Sequence, residues 1–241
     1  MRALRAEELK LRHTAFYPIA VGLPLVVATV FLVYYTWAGG SDATKVAVYV
    51  ELLGMAAPFA VALLVSTSVE VETAGHFQQL LSGARGRVLH AKGLWLLFWT
   101  ALAFVGAMGI FSAGFAWLLD KDGLDFGATM AVAGALWLGA VPMVMEHLFL
   151  NLRVGKVASL AVSACEMVIA ALFMTGLGEG LWPLVPCSYS ARLGMYQTIE
   201  AFMPEREMLT SLPWVSVLIM AGLYIIIIVW FKRFEGRPFH D

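Results

Sequence analysis

Glu166, in the run Ser163-Ala164-Cys165-Glu166-Met167, is the residue in this chain with the most chemistry to offer, because it stands near the middle of an otherwise apolar stretch. Burying a carboxylate in hydrocarbon is costly, so an acid at that depth is by default a candidate for a proton, ion or substrate path. The competing reading is a protonated or hydrogen-bonded packing residue. Glu51 falls near the outer end of another apolar stretch, where it can reach headgroups. Glu146-His147 falls near the inner end of a third. Adjacent helical residues point about 100° apart, so that pair by itself does not form a shared metal or acid–base site. His13, His76, His90 and His240 all lie in segments expected on the cytoplasmic side, and only His147 touches a span. No metal-ligand spacing and no nucleophile motif is present. An intramembrane hydrolase, which would need paired carboxylates with histidines at depth or a serine with a histidine partner, is therefore the weaker reading. Nor is there a Gly-x-x-x-x-Gly-Lys-Ser/Thr phosphate loop, since Gly155-Lys156-Val157 lacks both the leading glycine and the hydroxyl. No catalytic residue, metal or cofactor is expected on this chain.

The elements that must position these residues are membrane helices. A helix needs roughly 20 apolar residues to cross about 30 Å of hydrocarbon. Six stretches qualify, near residues 16–37, 46–69, 93–119, 126–150, 154–178 and 211–231, in a 241-residue chain that is 61% hydrophobic and 14% charged. The expected fold is all-α, a single polytopic transmembrane domain over residues 1–241, and nothing in its charge speaks for nucleic acid. With the N terminus placed in the cytoplasm, twelve of the 16 Lys and Arg lie in inside segments and four (Lys45, Lys121, Arg192, Arg206) outside. That bias predicts both termini on the cytoplasmic side. Pro18 to Trp37 is too long for a signal-peptide core and lacks a small-residue cleavage site, so it is expected to stay as the first span. Residues 1–15 predict an interfacial helix, with Leu4, Leu11 and Ala15 toward the inner leaflet and basic residues around them. Pro18, Pro24, Pro58 and Pro142 predict kinks. Asp120–Asp125 reads as a tight outer turn with Gly123 left-handed. Cys165 and Cys187 are expected to be unpaired thiols.

Two connections are too long to be turns. In the cytoplasmic one, Phe77, Leu80, Leu81 and Ala84 make an apolar stripe at helical spacing, with Glu72, His76 and Gln79 opposite, and Ser82-Gly83 ends the helix. A short amphipathic helix there suits docking into another protein's groove. In the outer one, Trp182-Pro183 fits the membrane interface. Ala191–Met203 predicts a helix closed by Pro204, and Glu200, Glu205 and Glu207 outnumber Arg192 and Arg206. That element reads either as a gate meeting a cationic amphipathic peptide, with Glu200 on the substrate path beside Glu166, or as a re-entrant plug.

The pattern Glu70, Glu72, Gly75, Phe77, Gln78, Leu80, Leu81, followed by Arg87 and Lys92, resembles the loop after the second span of type 2 ABC transporter permeases. More narrowly, it resembles the small permeases of the lantibiotic-immunity group. Glu7 to Thr14 resembles the start of the same proteins, and the six-span layout with a long outer piece before the last span agrees. The chain departs from the pattern at Gly83-Ala84-Arg85-Gly86, where a proline before the arginines is expected. The resemblance implies an exporter of lantibiotics or other antimicrobial peptides in a bacterial cell membrane. It further implies a separate ATP-binding subunit that holds ATP and Mg and docks on Glu72, Gly75, Phe77, Gln78, Leu80 and Leu81, and a second permease, identical or related. An exporter of another drug, lipid or glycan is the alternative within the class, and a membrane scaffold or sensor subunit is the alternative outside it.

Overall fold

A computed structural model of the chain describes residues 2–78, 85–202 and 214–235, with the side chains of 2–5 and 85–86 outside that description. Eight α-helices are described: α1 Arg2–Leu11, α2 Phe16–Tyr35, α3 Asp42–Ala74, α4 Arg85–Trp117, α5 Phe126–Arg153, α6 Lys156–Phe173, α7 Tyr189–Phe202 and α8 Trp214–Phe231. Three short 3₁₀ turns, Gly176–Gly178, Trp182–Leu184 and Pro186–Ser188, join α6 to α7. No strand occurs among the described residues.

Six of these helices (α2, α3, α4, α5, α6 and α8) are long and apolar enough to cross a membrane. Their outer faces carry exposed aliphatic side chains such as Val30, Leu94, Val168, Leu218 and Ile225. An apolar surface of that extent is stable only against lipid or another protein. Helix boundaries follow local chemistry. Ser41 caps α3 by accepting from the Thr44 amide, and Asp125 caps α5 by accepting from the Ala128 amide at 2.7 Å. Pro24, Pro58 and Pro142 all lie inside helices.

Helix α3 is the axis of the bundle, packed against α2, α5, α6 and α7. Helix α4 runs beside α2 and α5, and α8 rests on α5. At the end of the bundle away from the N terminus, Phe31, Tyr35, Tyr49, Phe111 and Phe115 form one aromatic cluster, with Tyr49 and Phe111 stacked at 3.8 Å. The connection from α6 to α7 turns back into this end: α7 is wedged between α3 and α5, and Cys187 to Leu193 are all buried. Two glycines permit the wedge. A Cβ on Gly54 would stand 2.4 Å from the Ala191 Cα, and one on Gly139 would stand 2.4 Å from the Ser190 amide nitrogen. The re-entrant reading of this segment thus describes its packing, whereas the acidic residues 205 and 207 lie outside the described residues.

Three sequence expectations change in detail. The fifth span ends at Phe173 rather than near residue 178, and the chain continues in 3₁₀ turns. In the turn at 120–125 it is Asp120, with φ of 51°, that is left-handed, and Gly123 is not. Aspartate tolerates that region because its short side chain bonds locally, and the turn is closed by the Lys121 amide donating to the Phe115 carbonyl. The third change concerns the segment after α3.

Candidate functional site

Two clusters of charged and polar side chains are buried in the bundle, at different depths. The first is at the N-terminal end. Helix α1 presents Glu7 and Leu11 on one face, and both are buried against α3 and α4. Lys10 Nζ lies 2.7 Å from Glu7 Oε1 and 2.7 Å from Glu72 Oε1, while Lys92 Nζ lies 2.8 Å from Glu7 Oε2 and 3.2 Å from Glu72 Oε1. Lys92 is fully buried and also donates to the Ser68 hydroxyl and carbonyl oxygens, at 3.1 and 3.3 Å. Two carboxylates face two ammonium groups, so the charges cancel. Burial opposes ionisation of Glu7, but the Lys92 charge and the hydrogen bonds from Lys10 and Lys92 outweigh it and hold the carboxyl below its ordinary range. Burial likewise opposes the charge on Lys10, and the hydrogen bonds to Glu7 and Glu72 outweigh it and raise that group.

Glu72 is the first residue of the expected docking helix, and here it belongs to α3. That helix ends at Ala74, and Gly75 caps it. His76 and Phe77 are then both left-handed, with φ of 52° and 56°. The left-handed region costs about 1–2 kcal/mol per non-glycine residue, so the surroundings must hold this turn. Phe77 supplies one hold: it is 1% exposed and packs edge-on against Phe234 at 5.6 Å. The continuous amphipathic stripe through residue 77 is therefore a correction. Phe77 points into the protein, because the turn reverses the side-chain direction that helical spacing assumed, and Glu72 is buried rather than solvated. Gln78 is exposed. Leu80 and Leu81 lie outside the described residues.

The second cluster joins α5 to α6, two of the helices long and apolar enough to cross a membrane. His147, fully buried, places Nδ1 3.1 Å from Ser159 Oγ and Nε2 3.0 Å from Glu166 Oε2. Asn151 Nδ2 donates to Ser159 Oγ at 2.7 Å and to the His147 carbonyl at 2.9 Å. The carboxyl of Glu146 sits against that of Glu166. Glu146 and His147 are brought to one place through Glu166, and not by their own adjacency. Their 100° divergence lets both flank a third residue supplied by the neighbouring helix. Among the described residues, no Lys or Arg pairs with either acid. Two like charges at about 4 Å repel by roughly 4 kcal/mol even at an effective dielectric of about 20.

The order Ser159–His147–Glu166 has the connectivity of a hydrolytic triad. Ser159 and Ser163 are fully buried, however, and Asn151 also holds the Ser159 hydroxyl, so the serine does not face a substrate-sized space. An apolar groove of about 640 Å³ does open between α2, α3, α4 and α6, lined by residues including Val27, Leu53, Phe104, Met167 and Val168. Glu166 is turned away from it, toward α5. Glu200 accepts from Gln197 on its own helix and is not brought to Glu166. Cys165 is exposed, Cys187 is buried, and both are free. No protein-family model, curated protein or solved structure matches the chain.

Proposed function

We propose that this chain is the permease subunit of an ATP-driven exporter in a bacterial cell membrane, with its N-terminal end in the cytoplasm. A separate subunit binds ATP and Mg and docks at the segment from Gly75 to Leu81. A second permease, identical or related, completes the path, and the cargo is a lantibiotic or other amphipathic antimicrobial peptide. The observation that supports this reading best is the pair of left-handed residues at His76–Phe77, in the segment whose residues resemble the permease docking loop. Strained backbone persists where its surroundings over-determine it, and such places concentrate at functional sites. Here the turn is tied to α3 through Glu72, to α1 and α4 through Lys10 and Lys92, and to the segment after α8 through Phe234. A partner pressing on Gln78 and the residues beyond it would move those helices together. The basic bias toward the same end supports the orientation, and the large apolar groove suits an amphipathic cargo or lipid tails.

Co-purification of the full chain from its native membrane tests the reading. An ATP-hydrolysing chain should come out with it, and peptide should stimulate hydrolysis. Phe77→Ala, by releasing the turn, and Leu81→Asp, by placing a charge in the contact, should each weaken capture by about ten-fold or more, which is roughly 1.4 kcal/mol per decade. Full capture and full stimulated hydrolysis in both variants would overturn the coupling role and leave a membrane scaffold as the better description.

A further inference from the structure

The exporter reading leaves unused the polar cluster between α5 and α6, where the chain buries Glu166 and His147 beside the partly buried Glu146. Three observations define what the cluster lacks. Glu166 is 7% exposed and His147 fully buried, so water does not complete their hydrogen bonding. His147 Nε2 and Glu166 Oε2 approach to 3.0 Å, yet neither atom has a hydrogen-bond partner in good alignment. Glu146 brings a second carboxyl to the same place.

Among the described residues, the groups that α3, α7 and the 3₁₀ turns bring toward the site are either neutral or already engaged. Helix α3 packs along α6, but its stretch from Leu52 to Val69 carries no acid or base. From the 3₁₀ turns comes Cys187, a buried thiol that feels both carboxyls. Arg192 is spent at the outer end of α6, where it donates to the Phe173 and Thr175 carbonyls and lies 3.8 Å from Glu179. On the imidazole's other side, Ser159 and Asn151 fix the ring. With both acids ionised and the imidazole neutral, the cluster would carry two uncompensated negative charges in a medium that does not support them. No described cation neutralises them. The smallest ligand that does is H⁺: one proton between the carboxyls and one on the imidazole bring the cluster to neutrality.

We propose that Glu146, Glu166 and His147 form an intramembrane proton-binding site that is loaded in the conformation described here. Gain or loss of its protons changes the charge that holds α6 against α5. No bond other than those to the proton forms or breaks. Proton loss leaves paired carboxylates that repel, and this separates the two helices.

Infrared titration of the purified full chain in lipid nanodiscs, from about pH 5 to about pH 9, tests the proposal. That range spans the ordinary imidazole value of about 6.5 and begins above the ordinary glutamate value of about 4.3. It needs neither ATP nor a partner, so its failure is distinguishable from failure of the exporter reading. The expected result is a carbonyl band of a protonated carboxyl at neutral pH that moves on labelling with ¹³C-glutamate and fades as the pH rises. Glu146→Gln and Glu166→Gln should each abolish the titration, and His147→Gln should shift its midpoint by at least one pH unit. The wild-type titration alone can sink the idea, so it survives a variant that fails to fold. Absence of the band at neutral pH, a band that never titrates, or one that persists in both glutamine variants would show a packing contact and overturn the site.

Discussion

The two buried clusters use the same residue types to opposite effect. At the N-terminal end, Glu7 and Glu72 meet Lys10 and Lys92 at distances of 2.7 to 3.2 Å, and the count of charges balances. Between α5 and α6, Glu166 meets one imidazole and the carboxyl of Glu146, and neither acid pairs with a described ammonium or guanidinium group. A balanced buried network resists any single change, because each removal strands an opposite charge. An unbalanced one is already short of a positive charge, so removing an acid relieves it. The first kind of cluster anchors; the second kind responds to protons. Burial alone does not tell them apart, since each joins nearly buried groups (Glu7, Glu72 and Lys92; His147 and Glu166) to a partly buried one (Lys10; Glu146).

Lys92→Met should give the largest effect. It strands a carboxylate against Lys10 alone, and breaking a buried pair from one side costs about 3–5 kcal/mol, read as a fall in thermal stability in detergent. Lys92→Met combined with Glu7→Gln should recover most of that loss, because Lys10 and Glu72 then balance. Equal damage in the single and double variants would break the comparison at its first half.

Acid should come next. Glu7 has its folded value below the ordinary 4.5, so its contribution is present above that pH and is lost as pH falls through the lowered value. Lys10 is raised above its ordinary 10.5, so its contribution is present below that pH and lost only at still higher pH. Protease access to the α1–α2 junction should therefore stay constant across neutral pH and increase only below about 4.5 or above 10.5. A transition near neutrality at α1 would erase the contrast with the α5–α6 cluster.

The smallest effect belongs to the second cluster. Glu166→Gln keeps the hydrogen-bonding shape and removes an unpaired acid, so stability should change by no more than about 1 kcal/mol. Export or resistance should nonetheless decline if the acid serves the transport cycle. A loss comparable to that of Lys92→Met would show that Glu166 anchors after all.

The positions of the spans were legible because hydrocarbon thickness imposes a length and an apolar composition that no tertiary contact can override. What was not legible was pairing. Glu7 finds Lys92 across 85 positions, and nothing near Glu7 announces it. Glu146 and His147 looked unrelated because their divergence was measured on one helix, while the group that unites them comes from another. At Phe77 the helical period simply stops, and the left-handed turn that stops it uses histidine and phenylalanine, which carry no turn signal. Helix α7 could be read from its own spacing. Its depth could not, because depth is decided by Gly54 and Gly139 on two other helices.

Helix α6 has 18 residues, ending in 3₁₀ turns on one side and at Gly155 on the other. At 1.5 Å per residue it is about 27 Å long, slightly short of an average hydrocarbon core and several ångströms short of a thick one. Mismatch of that kind costs fractions of a kcal/mol per ångström. Lipids with longer chains must thin around this helix or draw it along its axis, and the axis is the direction in which Glu166 slides past Glu146 and His147. Acyl-chain length thus becomes a mechanical input to the acid pair, independent of any ligand.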